Sequence, residues 1–209
     1  EGGAGDDTAD GGSGENEYDN LEHWNASSGI TVTKTNAKDG TVTGTSTGTD
    51  TFTNFEIVVG TNHVDTFNGS SENDHFTGNG GADVFNGGDG NDLVFYEKER
   101  NATELPPTHG VIVNLSNAAL VGATAEGLGP TDVAANTAID LFGDVDQFSS
   151  IEDVVGTLLG DTVVGSGVAN TLVGLDGNDN LLAGGGDDFI IGGNGNDTID
   201  GGADSDTVA

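Results

Sequence analysis

Over much of the chain a single apolar or aromatic residue, flanked by polar ones, returns every nine residues. From residue 156 the sequence divides without a gap into GTLLGDTVV, GSGVANTLV, GLDGNDNLL, AGGGDDFII, GGNGNDTID and GGADSDTVA. From residue 60 it divides into GTNHVDTFN, GSSENDHFT, GNGGADVFN and GGDGNDLVF, and residues 2–19 give GGAGDDTAD and GGSGENEYD. Position 8 is apolar or aromatic in all twelve units: Ala9, Tyr18, Phe67, Phe76, Phe85, Val94, Val163, Leu172, Leu181, Ile190, Ile199 and Val208. Position 1 is Gly in eleven units and Ala183 in the other; position 6 is Asp in ten, with Asn16 and Asn170 as the exceptions. Glycine permits φ > 0, so positions 1–6 predict a tight loop. Positions 7–9 predict a very short strand with position 8 turned inward. One apolar residue in nine cannot bury a core alone, but stacked coils bring successive position-8 residues into line.

Two inserts interrupt this rhythm, residues 20–50 and 96–146. Their alternating stretches Ile30-Thr31-Val32-Thr33 and Val111-Ile112-Val113-Asn114-Leu115, each after a Gly, predict strands. Leu105-Pro106-Pro107-Thr108 predicts a break, because neither proline can continue a ladder. Residues 50–61 resemble residues 146–157 at a constant offset of 96. Counting back from Gly60 and Gly156 places Glu56 and Glu152 at position 6 and Val58 and Val154 at position 8. Each longer block therefore opens with a degenerate coil. The expected organisation is a short repeat block 1–19, a β insert 20–50, a repeat block 51–95, an insert with a strand 96–146 and a repeat block 147–209. The chain opens and closes inside a repeat and has no Met, which reads as a piece of a longer protein.

Composition changes the picture. With 36 acidic and 4 basic residues the net charge is −32, and the span 156–209 carries nine Asp and no Lys or Arg. Self-repulsion of this size opposes compaction. It also excludes nucleic acid and anionic membranes as partners, since both are bound through Lys and Arg. All four basic residues (Lys34, Lys38, Lys98, Arg100) and the one Trp, Trp24, lie in the inserts. Without Cys there is no disulfide framework and no thiolate metal site. No stretch approaches the ~18 apolar residues of a membrane span. A cationic partner is missing from the sequence. The loops offer carboxylates and backbone carbonyls at a regular rise, and calcium takes six to eight oxygens in the irregular geometry that loops provide.

Gly87-Gly88-Asp89-Gly90-Asn91-Asp92-Leu93-Val94-Phe95 and Gly192-Gly193-Asn194-Gly195-Asn196-Asp197-Thr198-Ile199-Asp200 match G-G-x-G-x-D-x-U-x. The chain thereby resembles the RTX (repeats-in-toxin, haemolysin-type calcium-binding) family. The resemblance implies an all-β fold, a right-handed parallel β-roll with two repeats per coil, in blocks separated by the inserts. It also implies calcium between a loop and the loop two repeats on. The first loop gives the carbonyls of positions 2 and 4 and the Asp at 6; the second gives the carbonyls of positions 1 and 3 and its own Asp.

Carried onto this chain, Leu175, Gly177 and Asp179 face Gly192, Asn194 and Asp197. Gly184, Gly186 and Asp188 face Gly201, Ala203 and Asp206. Thr157, Leu159 and Asp161 face Gly174, Asp176 and Asp179. In the earlier block Thr61, His63 and Asp65 face Gly78, Gly80 and Asp83, while Ser70, Glu72 and Asp74 face Gly87, Asp89 and Asp92. Glu56 facing Asp74, and Glu152 facing Asn170, would add one site each, for about six to eight calcium ions. The neutral amide of Asn170 leaves the site with Ala183, Gly185 and Asp188 weaker or absent. Residues 2–19 hold no complete pair.

Of the four histidines, none belongs to an H-E-x-x-H motif, and no G-x-S-x-G elbow or phosphate loop is present. His63 and His75 fall at solvated loop and strand positions. The expectation is a protein without catalysis. Position 7 carries no continuous Thr row, so a flat adhesive ladder is not expected either. The sequence reads as a calcium-binding module of a secreted, extracellular protein of a Gram-negative bacterium. Folding on extracellular calcium would support type I secretion and the stability of the parent. The other readings are an adhesive or carbohydrate-contacting module whose inserts meet a glycan or protein ligand, and an accessory domain of a secreted enzyme.

Overall fold

The computed structural model describes residues 4–13, 18–97 and 109–209. The predicted break at Pro106-Pro107, the loop residue Asn16, and Lys98 and Arg100 lie outside the described residues. All described elements are strands, and the chain divides into two units, with the boundary near residue 95.

The first unit contains Thr8–Asp10 (β1), Asn20–Glu22 (β2), Ile30–Lys34 (β3), Gly40–Gly44 (β4), Gly48–Thr53 (β5), Ile57–Val59 (β6), Thr66–Asn68 (β7), His75–Thr77 (β8), Val84–Asn86 (β9) and Leu93–Phe95 (β10). Consecutive repeats fall alternately on two sheets. On one, β2, β6, β8 and β10 run parallel with Leu21, Val58, Phe76 and Val94 in register. On the other, Val32 of β3, Phe67 of β7 and Phe85 of β9 align in the same way. All these residues are buried, and Phe67 stacks on Phe85 with ring centroids 4.9 Å apart. The insert strand β3 thus occupies the place of a repeat strand; β4 pairs antiparallel with β3, and β5 antiparallel with β4.

The second unit contains Ile112–Asn114 (β11), Leu120–Ala125 (β12), Leu128–Val133 (β13), Thr137–Ile139 (β14), Val145–Ser149 (β15), Asp153–Val155 (β16), Thr162–Val164 (β17), Thr171–Asp176 (β18), Asn180–Leu182 (β19), Phe189–Asn194 (β20), Thr198–Asp200 (β21) and Thr207–Val208 (β22). Val154, Leu172, Ile190 and Val208 align on one parallel sheet; Val113, Val163, Leu181 and Ile199 align on the other. Strand β11 takes the place of a repeat strand, as β3 does; β14 pairs antiparallel with β11, and β15 antiparallel with β14. The hairpin β12–β13, which the sequence did not reveal, packs Leu120, Ala123, Ala125 and Leu128 against Ile112, Val133 and Ile139.

Two expectations need correction. Position 8 is not inward everywhere: Tyr18 is 68% exposed and Val208 of β22, which pairs only with β20, is 56% exposed. The phase of the second unit in 2–19 also shifts by three residues. Leu21, not Tyr18, takes the inward place, aligned with Val58, and Asp19 takes position 6. Gly11-Gly12-Ser13-Gly14 offers two possible repeat starts, and burial of the larger aliphatic side chain selects the later one.

Candidate metal centres

In each opening loop the position-6 side chain folds back over positions 1 and 2. The Thr61 N–H donates to Asp65 Oδ2 at 2.6 Å, the Ser70 N–H to Asp74 Oδ2 at 2.5 Å, the Thr157 N–H to Asp161 Oδ2 at 2.6 Å and the Ser166 N–H to Asn170 Oδ1 at 2.7 Å. In these four loops the position-2 hydroxyl donates to the same group as well. Glycine at position 1 leaves room for this fold-back. A Cβ on Gly174 would lie 2.2 Å from Asp179 Oδ2 and 2.7 Å from the Gly192 carbonyl oxygen; on Gly60, 2.4 Å from Asp65 Oδ2 and 2.7 Å from the Gly78 oxygen. The left-handed backbone expected of the glycines falls instead at positions 2 and 4, as in Gly193 (φ 103°) and Gly177 (φ 128°). Leu175, at position 2, is held at φ 84°, a region that disfavours a side chain.

The loops are then tied two by two. The N–H of each position 6 donates to the position-6 carboxylate two repeats on. Asp65 donates to Asp83, Asp74 to Asp92, Asp161 to Asp179 and Asn170 to Asp188, each at 2.8 Å; Asp179 donates to Asp197 at 3.1 Å and Asp188 to Asp206 at 3.2 Å. The six pairs with Asp or Asn at position 6 of both loops are thereby brought together, the Asn170 loop included; the pairs with Glu56 and Glu152 are not joined in this way. Several of the named carbonyls accept hydrogen bonds here. Ser70 O accepts from the Asp89 N–H, Gly184 O from the Ala203 N–H and Asn194 O from the Gly177 N–H. His63 O and Leu159 O accept from the Thr61 and Thr157 hydroxyls. A carbonyl has two lone pairs, so these bonds leave one for another partner.

The donor set fits a hard cation. Asp179 Oδ2 and Asp188 Oδ2 are buried and have no hydrogen-bond partner among the described residues. As the Cβ construction on Gly174 shows, Asp179 Oδ2 and the Gly192 carbonyl converge on one small region. Burial pushes the carboxyl of Asp65 up to about 6, that of Asp161 to about 7 and that of Asp179 to about 6, and it raises Asp188. No three His, Cys, Asp or Glu side chains converge among the described residues. A pair of loops supplies two carboxylates and fills the rest of an oxygen shell from its backbone, the donor class that calcium takes.

The opening coils differ. The Glu56 carboxylate does not turn toward Asp74: Oε2 accepts from the Asp19 N–H at 2.8 Å and Oε1 lies 2.6 Å from Lys38 Nζ. Between Glu56 and Asp74 stands the Lys34 ammonium. It lies 3.2 Å from Asp74 Oδ1, donates to the Glu56 carbonyl at 3.3 Å and to the Ala37 carbonyl, and sits 5.7 Å from the Phe76 ring centroid. Burial lowers its pKa despite the attraction of Asp74. In the second unit the Asn170 amide donates to the Glu152 carbonyl at 2.6 Å. On the other sheet the first loop of each block is closed by an insert backbone N–H, from Ile30 to Asp65 Oδ1 at 2.7 Å and from Val111 to Asp161 Oδ1 at 2.8 Å.

Three participants escaped the sequence reading: Lys34, Asp19 and Asp50. Asp50 Oδ1 accepts from the Asp7 N–H at 3.0 Å and follows Gly48 (φ 91°), so residues 45–53 behave as a further degenerate repeat ending in β5. Its signal was Asp50-Thr51-Phe52-Thr53, and that of Asp19 was Asp19-Asn20-Leu21-Glu22, each with Asp two residues before an apolar side chain. The alternation puts Lys34 on the face of Ile30 and Val32, but residue type spoke against burial, since a lysine ordinarily faces solvent.

The model of the RTX calcium-binding nonapeptide repeat matches in four copies, over residues 1–19, 59–94, 155–190 and 173–208, together just over half of the chain. The chain belongs to this family, and it is a calcium-binding repeat module. No curated protein matches it.

Proposed function

We propose that the chain is a calcium-triggered folding module of a secreted bacterial protein, without catalytic activity of its own, whose repeats close into right-handed β-rolls. The observation that carries this reading is the ladder of position-6 residues, spaced 18 residues apart in sequence and linked from the N–H of one to the side chain of the next, with Asp179 Oδ2 and Asp188 Oδ2 buried and still open to a partner. Like charges stacked this closely oppose the fold until a cation lies between them. Calcium bound only by the folded loops adds its binding energy to folding. Extracellular modules bind calcium at about 10⁻⁴–10⁻³ M, so the chain would stay extended in a low-calcium cytosol and fold outside, as type I secretion requires.

Equilibrium dialysis against calcium tests the reading. The six loop pairs joined through position 6 predict about six ions per chain, the Asn170 pair being the weakest. Two or fewer would overturn it. Magnesium should be retained poorly, because it needs a tighter octahedron and gives up water reluctantly.

A further inference from the structure

The buried side chain of Lys34 has no place in the repeat pattern, yet its charge lies between two position-6 residues that the repeat rule would pair around a metal ion. Glu56 and Asp74 are both at position 6, two repeats apart, like Asp74 and Asp92. Between Asp74 and Asp92 the arrangement is that of the other loop pairs; between Glu56 and Asp74 the charge is met by the Lys34 ammonium. Lys34 is only 4% exposed and comes from β3, in the insert. It meets the Asp74 carboxylate, the Glu56 carbonyl and the Ala37 carbonyl from the turn after β3, and at Asp74 Oδ1 it takes the place that the N–H of the earlier position 6 takes in the other loop pairs. The Glu56 carboxylate, the one acidic group with which a metal there would also have to bind, is turned away to Asp19 N–H and Lys38.

We infer that Lys34 is a resident cation that takes the place of calcium between Glu56 and Asp74, so that this rung of the earlier block is closed without metal.

The second unit supports this independently. At the equivalent place Asn170 stands for Asp, which removes one charge, and its amide N–H donates to the position-6 carbonyl of Glu152. Both blocks therefore open with a nitrogen donor pointed at the Glu carbonyl, one charged opposite Asp74 and one neutral where the Asp is absent. On the other sheet the Ile30 and Val111 N–H groups donate to Asp65 Oδ1 and Asp161 Oδ1, where elsewhere the N–H of the position 6 two repeats earlier donates. A rung closed by protein donors gives calcium-dependent coils a template whose formation does not depend on the ion.

The inference rests on the calcium reading above, and the test separates the two. Crystals of the full chain grown in calcium, with anomalous differences measured, should show ions at the later loop pairs and none between Glu56 and Asp74. Lys34→Met keeps the length and apolar stem and removes the charge. It should bind one calcium ion more than the wild type by equilibrium dialysis, with the new ion between Glu56 and Asp74. An ion there in the wild type, with Lys34 displaced, overturns the inference, and so does a folded Lys34→Met with an unchanged count. If Lys34→Met fails to fold, the wild-type anomalous map decides alone. A wild type that holds no calcium at any loop would sink the calcium reading, and the inference with it.

Discussion

Glycine at position 1 and Asp at position 6 work as one unit, because the carboxylate lies where a Cβ on the glycine would be. Gly174→Ala should therefore push Asp179 out of its loop and raise the calcium midpoint for folding of the second unit. Gly167→Ala should not, since nothing lies within 4 Å of a Cβ there and its φ is not left-handed. Reduced backbone freedom in the unfolded chain should even stabilise that variant by about 0.4–1 kcal/mol. Circular dichroism during calcium titration distinguishes them, and equal shifts would refute the steric account. A second pair separates ligand from bystander. Asp179→Asn should weaken the two loop pairs it joins, with Asp161 and with Asp197. Asp200→Asn should change the midpoint little, because the exposed Asp200 carboxylate accepts the Gly202 N–H at 3.1 Å, a bond that the amide oxygen keeps. At this scale the sequence was legible wherever a residue's role is repeated. For Lys34 the alternation with Ile30 and Val32 gave the face but not the partner, Asp74, which tertiary packing supplies.

Strands of three residues are stable here only because each lies on another strand two repeats away. The apolar column sets their register, and that column was readable from Phe67, Phe76 and Phe85 in one block and Val163, Leu172, Leu181 and Ile190 in the other. What was not readable is where an insertion shifts the phase, as at residues 11–13, or how a hairpin such as β12–β13 packs onto β11. Both depend on non-local pairing that no nine-residue window contains. The strands Val32 and Val113 were expected as strands but not as substitutes for repeats. Phe85→Ala removes a fully buried ring stacked on Phe67 and should cost about 3–5 kcal/mol. Val208→Ala, at the same repeat position but exposed, should stay within about 0.5 kcal/mol. Urea unfolding in saturating calcium measures both; a similar small loss in each would mean that the position-8 column does not hold the units together.

For the molecule as a whole, the −32 charge and the buried carboxylates set the response to pH as well as to calcium. Burial raises Asp65 and Asp179 to about 6 and Asp161 and Asp140 to about 7. A carboxyl whose folded pKa lies above its unfolded value binds more protons in the folded state between the two. The calcium-free fold should therefore gain stability as pH falls from about 7 toward 4, and lose it again as pH rises through that window. Protons compete with calcium for the same oxygens, so the calcium midpoint should rise over the same interval. Small-angle scattering in chelator should show the chain more compact at pH 5 than at pH 8; the reverse order would contradict the assignment of these groups as buried in the fold.

Site coordination and general charge screening make opposite predictions for a single experiment, in which small-angle scattering and circular dichroism follow the full chain at neutral pH. The chain starts in chelator and is titrated with calcium, or with sodium chloride to a much higher ionic strength. Coordination by the paired loops predicts cooperative compaction and gain of β-structure with calcium in the range of extracellular modules, about 10⁻⁴–10⁻³ M. It also predicts that sodium leaves the chain expanded, because screening shortens the reach of the charges without filling an oxygen shell. If sodium alone produced the compact β-structured state, or if the chain in chelator were already as compact as with calcium, the loops would not be the calcium sites that fold this protein.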